Sequence, residues 1–199
     1  MIEIFFFLFF TLLNGKLYLI VGPSGAGKGT IIKAIKAKMP EIIFPISCTT
    51  RPMRPNEKEG EVYNFISKED FLNKIEKNEF LEWAHVHGRD NFYGTLKTPI
   101  LNALKKDKKI LREVDIQGVE SISKIISKNN LCTIFITVPD WETLQNRILR
   151  RAEMSQEELE KRKLSYIKEM EFTKECDFVV HSLEGKINEA VEEVLRIIK

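Results

Sequence analysis

The densest chemistry in this chain lies in Gly22-Pro23-Ser24-Gly25-Ala26-Gly27-Lys28-Gly29-Thr30. The apolar run Leu17-Tyr-Leu-Ile-Val21 precedes it, and the helix-like Ile31-Ile-Lys-Ala-Ile-Lys-Ala-Lys38 follows. A strand, a glycine-rich turn and a helix, with a lysine closing the turn, suit a polyphosphate. Glycines let successive backbone N–H groups face the phosphate oxygens where a Cβ would block approach. The helix N-terminus adds partial positive charge. Lys28 supplies a mobile full charge for the β- and γ-phosphates. A bare glycine turn without a ligand is the competing reading, and the flanking strand and helix argue against it. The chain is therefore expected to bind a nucleoside triphosphate. The position after Lys28 usually carries a hydroxyl for Mg²⁺. Here it is Gly29, with Thr30 one place later, so Mg²⁺ is expected to be held mainly by phosphates and water.

Two further sets of side chains suit phosphate chemistry. Arg51 and Arg54 stand in Thr50-Arg-Pro-Met-Arg-Pro55, and Tyr63 and Tyr93 lie further along. Two guanidinium forks with phenolic donors would hold a monophosphate dianion well. The alternative is solvated loop arginines, but the prolines pre-order the loop. Arg147, Arg151 and Arg162 lie in a charged helix–turn–helix over 147–162, where Ser155-Gln-Glu-Glu158 reads as a capping box. It reads as a mobile lid, against the plainer alternative of a solvated helix. Phosphoryl transfer needs positioning and charge neutralisation rather than covalent chemistry, and no nucleophile stands out. His85 and His87 are too sparse for a metal site.

Apolar runs alternate with helical periods, which predicts an α/β fold with a parallel sheet flanked by helices. Strands are expected at 17–21, 42–48, 109–115, 131–138 and 178–181. Helices are expected at 28–38, 97–106, 117–127, 141–151, 156–175 and 184–198. The segment 50–95 breaks the rhythm and reads as an inserted α+β lobe. Within it, Ser67-Lys-Glu-Asp70 opens a helix to about Lys77, and Phe80 to Val86 alternates like a strand. The expected organisation is an extension over 1–15, a core of 16–49, 96–146 and 163–199, the lobe 50–95 and the lid 147–162.

The 199 residues suffice for a full core. The 31 basic and 29 acidic residues leave a net charge of +2, no electrostatic case for nucleic acid. Cys48, Cys132 and Cys176 form no C-x-x-C pair, which suits reduced thiols in the cytoplasm. The block Ile4–Leu13 is almost wholly apolar. It is too short for a membrane span and lacks a basic flank or cleavage site. An extension ahead of the first core strand is preferred, with a membrane-touching segment or an extra buried strand as alternatives.

From about Lys16 onward the chain resembles the guanylate kinase family. The matching residues are Gly22–Thr30, Ser47-Cys-Thr-Thr-Arg-Pro-Met-Arg-Pro-Asn-Glu57, Gly60-Glu-Val-Tyr-Asn-Phe65, Asn78-Glu-Phe-Leu-Glu-Trp83, Tyr93-Gly-Thr95 and Glu113-Val-Asp-Ile-Gln-Gly118. The small nucleoside monophosphate kinases often read Gly-Lys-Gly-Thr in the phosphate loop, as here. The resemblance implies ATP-dependent phosphorylation of GMP, and of dGMP, with Mg²⁺. It also implies roles. Gly22 to Thr30 would bind ATP. Ser47, Glu82 and Thr95 would contact guanine. Arg51, Arg54, Tyr63 and Tyr93 would hold the GMP phosphate. Asp115 would face guanine or a metal-bound water, with Glu113 two residues before it. Arg147, Arg151 and Arg162 would approach the transferring phosphoryl beside Lys28. Guanine offers N1–H and N2–H side by side to one carboxylate, and O6 to hydroxyl donors, whereas adenine has no N1–H. The rivals are another nucleoside monophosphate kinase and a non-catalytic module of the same family that binds phosphorylated peptides. The sequence departs from the family at Gly29, at Arg112 within a strand, at an apparent insertion Arg89-Asp90, and at Val179-Val-His-Ser182.

Overall fold

The structure is a computed structural model that describes residues 13–61, 63–86 and 90–199. The expectations for 1–12, His87 and Arg89 lie outside those residues. The strands are β1 (Lys16–Val21), β2 (Ser47–Thr49), β3 (Tyr63–Phe65), β4 (Phe80–Val86), β5 (Asn91–Leu96), β6 (Lys109–Glu113), β7 (Leu131–Thr137) and β8 (Phe178–His181). The helices are α1 (Lys28–Lys38), α2 (Lys68–Glu76), α3 (Lys97–Lys105), α4 (Ile116–Ser123), α5 (Trp141–Leu149), α6 (Gln156–Glu171) and α7 (Ile187–Ile198).

The chain divides into two compact units. The first comprises the chain up to Leu17, Ile43–Ile110 and Gln117–Leu131; the second comprises Tyr18–Ile42, Leu111–Ile116 and Cys132–Lys199. The second is built on a sheet of strand order β6-β1-β7-β8. Every residue of β7 is buried. That explains its unbroken apolar run, because a strand covered on both faces has no polar alternation. β8 pairs parallel to it, from Ile134↔Phe178 to Thr137↔His181. α7 buries Ala190, Val191, Val194, Leu195 and Ile198 along one stripe, the i, i+3, i+4 spacing of an amphipathic helix.

The first unit holds a second sheet, of order β3-β2-β5-β4. Its core is aromatic: Phe71 of α2 stacks on Phe80 at 4.3 Å and tilts against Phe92 at 5.3 Å. Gly94 lets β5 approach this stack, since a Cβ there would lie 2.8 Å from the Phe80 ring.

The expected strand over 42–48 does not form. Ile43 makes one parallel bridge to Ile110, and pairing resumes only at Ser47, in the other sheet. Pro45 lies between them and has no N–H for a ladder. The expected helix over 117–127 stops at Ser123, whose hydroxyl donates back to the Val119 carbonyl at 2.8 Å; such back-bonding competes with the helical pattern. The helix expected over 156–175 ends at Glu171 and tightens into a 3-10 turn over Phe172–Glu175. The helix expected from 184 starts at Ile187, after Gly185 takes φ 70°. β6 ends at Glu113, although the Val114 N–H still donates to the Ile20 carbonyl.

Asn130 anchors the entry to β1. Its amide donates to the carbonyls of Leu13 at 2.7 Å and Gly15 at 2.9 Å, while its own oxygen accepts from Ser127. Asn130→Ala is expected to destabilise the protein by about 2 kcal/mol, because acceptors at a buried site lose their donor. Urea denaturation measures this, and a loss below about 0.5 kcal/mol, the range of ordinary surface changes, would refute the anchoring role.

Candidate active site

The loop between β1 and α1 is shaped by glycines at positive φ: Gly22 at 132°, Gly25 at 100° and Gly27 at 102°. α1 begins without a side-chain cap and with no acidic residue in its first turn. By contrast, α2, α5 and α6 are capped by Ser67, Asp140 and Ser155. The first N–H groups of α1 therefore keep their capacity for an anion. Lys28 is partly buried and donates to the carbonyls of Gly22 at 2.5 Å and Pro23 at 3.1 Å. Its ammonium is 3.6 Å from the Glu113 carboxylate. Asp115, two residues on, is exposed. Glu169 of α6 feels the charges of both Lys28 and Asp115, and burial raises its pKa above the usual carboxylate range.

Beside the loop, a cavity of about 340 Å³ is lined by Gly27, Thr30, Arg147, Arg151, Ser182 and Glu184, among others. Arg147, near the end of α5, is tightly held. Nη1 donates to the Ala26 carbonyl at 3.2 Å and to Ser182 Oγ at 3.1 Å; Nη2 donates to the Ser182 carbonyl at 2.8 Å; Nε donates to Glu184 at 3.2 Å. Arg150 donates to the other Glu184 oxygen at 2.7 Å. The two arginines, Arg150 foremost, hold the Glu184 carboxyl below its ordinary range. Arg151 is exposed. Arg162 sits 3.7 Å from Glu158, one turn earlier on α6, and its buried Nε has no hydrogen-bond partner among the described residues.

In the first unit, one face of the second sheet gathers the other predicted residues. Ser47 pairs with Tyr63, and Glu82 pairs with Thr95. The pairing Cys48↔Gly94 continues by one residue to set Ser47 opposite Thr95. Tyr63, Ser47, Thr95 and Glu82 thus form one row across β3, β2, β5 and β4. A register shift between Phe80 and Glu82 brings the carboxylate onto that face, a usual work of a bulge. Thr95 donates to Glu82 at 2.5 Å. Ser47 is 1% exposed, yet its hydroxyl has no hydrogen-bond partner among the described residues. A buried hydroxyl with no protein partner is unusual in a native protein and calls for a water or another polar atom beside it.

Tyr93 stands two residues before Thr95 on β5, its ring 5.7 Å from that of Tyr63. The Arg51 guanidinium lies 5.1 Å above the Tyr63 ring. Both Arg51 terminal nitrogens reach Glu57, at 2.7 and 2.6 Å, and the Arg54 backbone N–H donates to the same carboxylate at 2.9 Å. The Arg54 side chain is exposed. The Arg51 fork, then the Arg54 N–H, pull the Glu57 pKa down to about 2.

Glu57, Ser182 and Glu184 escaped the reading of candidate residues. Glu57 ends a motif already singled out, and its spacing from Arg51 was its only signal. Glu184 had none, because nothing local links it to α5. Among the described residues no three His, Cys, Asp or Glu side chains group as metal ligands. No helix of those residues is long and apolar enough to cross a membrane.

The sequence profile described as guanylate kinase matches residues 14–199. The chain belongs to the guanylate kinase family. It is 37% identical over 187 residues to the guanylate kinase of Thermotoga maritima, covering 94% of this chain and 87% of that one. It is 41% identical over 183 residues to the guanylate kinase of Helicobacter pylori, covering 92% and 84%. The crystal structure of guanylate kinase from Anaplasma phagocytophilum superposes with a TM-score of 0.67 at 25% identity, covering 94% of this chain and 85% of that one. In this member of the guanylate kinase family the Glu57 carboxylate is expected to titrate near 2. Its folded pKa is depressed, so its stabilising contribution is complete above the ordinary value near 4.5 and is lost as pH falls through about 2. Carbon-13 NMR of the side-chain carboxyls reads this directly, and a Glu57 midpoint above about 4, the ordinary carboxylate range, would refute the fork.

Proposed function

We propose that this chain is a guanylate kinase that transfers the γ-phosphoryl of ATP to GMP, and to dGMP, in the cytoplasm. The observation that carries the reading is the row Ser47, Thr95 and Glu82, with its orphan buried hydroxyl. A carboxylate accepts the N1–H and N2–H of guanine together. The Ser47 hydroxyl suits O6, and Thr95 would have to release its bond to Glu82 to donate there as well. Adenine, cytosine and uracil do not offer that donor pair. Arg51, Arg54, Tyr63 and Tyr93 take the GMP phosphate. Arg51 meets that dianion already oriented by Glu57, so little rotamer entropy is lost on binding.

On the donor side, Gly22, Pro23, Ser24, Gly25, Ala26, Gly27, Lys28, Gly29 and Thr30 wrap the ATP phosphates. Lys28 exchanges the carbonyls of Gly22 and Pro23 for phosphate oxygens. Arg147, Arg151 and Arg162, all within a lid over 147–162, add positive charge beside the equatorial oxygens during transfer. Glu113 and Asp115 offer carboxylates, no set of three His, Cys, Asp or Glu groups as metal ligands among the described residues, and Gly29 offers no hydroxyl. That donor set fits Mg²⁺ carried by the phosphates, with Asp115 reaching it through water. Mg²⁺, when bound, would offset negative charge on the phosphates. A phosphopeptide-binding module would not need the complete phosphate loop and Lys28.

A coupled assay of ADP release with GMP, AMP, CMP and UMP tests the reading: turnover is expected with GMP alone, and equal turnover with AMP would overturn it. Lys28→Met is expected to lower kcat by roughly 10²–10⁴, the loss seen when a preorganised electrostatic contact is removed. Retention within threefold would sink the assignment of the phosphate loop. Glu82→Gln sets an amide donor against a guanine donor. It is expected to cut kcat/KM for GMP several-hundred-fold, about 3–4 kcal/mol, while the ATP KM stays unchanged. Unaltered GMP kinetics would move guanine reading to another residue.

A further inference from the structure

The phosphate loop passes into α1 at Gly27, and that turn is backed by side chains from elsewhere in the same unit. A Cβ on Gly27 would lie 3.0 Å from Ser182 Oγ and 3.8 Å from Arg147 Nη1. Arg147 contributes more than packing. Its bonds to Ala26, Ser182 and Glu184 use four of the five N–H groups a guanidinium carries. The carbonyl it holds is that of Ala26, 3.2 Å from Nη1.

The peptide between Ala26 and Gly27 is trans. Across a trans peptide the C=O and the following N–H point in opposite directions. Holding the Ala26 carbonyl therefore fixes the aim of the Gly27 N–H, a member of the anion-binding row just ahead of Lys28. The aim is only as good as the seat of Arg147. Glu184 provides that seat from the loop after β8. One of its oxygens takes Arg147 Nε at 3.2 Å and the other takes Arg150 Nη1 at 2.7 Å. Arg147 of α5 and Arg150, the residue that follows the helix, are thus tied to one carboxylate.

We propose that Glu184 is a positioning residue for the donor phosphates, holding Arg147 so that Arg147 fixes the Ala26–Gly27 peptide. The proposal rests on the kinase reading for the identity of the anion, a nucleotide phosphate. The sign of the effect separates this role from simple electrostatics. A carboxylate that was merely near the phosphates would repel them, and its removal would tighten binding. A positioning carboxylate does the opposite: its removal loosens binding. Glu184 is more than half exposed, at 57%, and exposed ion pairs add little to global stability. The fold should therefore tolerate its loss.

The test uses Glu184→Gln, Glu184→Ala and Glu184→Asp in the full chain. Calorimetry gives Kd for ADP, inorganic pyrophosphate and GMP, and thermal unfolding gives Tm. Neutral variants are expected to weaken ADP and pyrophosphate about tenfold, the scale of one charge-assisted hydrogen bond. GMP affinity should hold within twofold and Tm within about 2 °C, as for a surface change. Glu184→Asp should recover part of the loss. Unchanged or tighter ADP binding would overturn the proposal, as would loss confined to ADP with pyrophosphate unaffected, which would put Glu184 on the base. An equal loss for GMP with a fall in Tm would reduce Glu184 to a structural role. A wild-type chain that binds ADP but transfers nothing to GMP would refute the kinase reading and leave this measurement standing.

Discussion

A Cβ on residue 22 would stand 2.0 Å from the carbonyl oxygen of Ile136. No side chain fits there, and the positive φ of Gly22 strains any other residue. That crossing of β1's exit over β7 is the constraint on which the donor site depends. It turns the chain tightly enough for α1 to start at Lys28, and so leaves a helix N-terminus with no side chain across it. Gly25 continues the same logic against α5, where a Cβ would meet Leu144 at 3.1 Å and Ile148 at 3.2 Å. Val138, Leu144 and Ile148 form a small core of their own, with Trp141, Met154 and Tyr166 packed around it. The loop is thus seated on an apolar floor, while the hydrogen bonds of Arg147 grip its outer edge.

The second sheet solves a different problem. A thin sheet must bury one face to be stable and can keep the other polar. Phe71, Phe80 and Phe92 crowd one face, and Gly94 yields space to them. The opposite face carries the row from Tyr63 to Glu82. Alternation along β5 does this in three residues: Tyr93 and Thr95 face the polar side, and Gly94 between them faces the aromatics. The bulge on β4 then corrects the phase so that Glu82, rather than Leu81, meets Thr95.

Local patterns made much of this legible in the sequence. The glycine loop, the buried run of β7 and the stripe of α7 are set by residues close together in the chain; the first two formed where expected, and the third lies on a helix that starts later than expected. The boundaries that slipped did so through single residues: Pro45 silenced the ladder before Ser47, Ser123 turned its hydroxyl back on α4, and Gly185 delayed α7. Roles that depend on distant partners stayed hidden. Glu184 meets Arg147 of α5 from 37 residues away, and no periodicity announces such a pairing. The orphan hydroxyl of Ser47 was equally invisible, because a missing partner is a property of packing. Glu57 stood midway, inside a recognised motif but without a role until the fork with Arg51 gave it one.

Lys28 closes a ring on its own loop by donating to the carbonyls of Gly22 and Pro23. The ammonium thereby occupies the mouth of the concavity and holds its rim together. A loop braced in this way keeps its curvature between visits of a ligand, and an incoming anion meets a shape that needs no refolding. A loop whose curvature is already present spares a ligand the loss of affinity that a small competent population imposes.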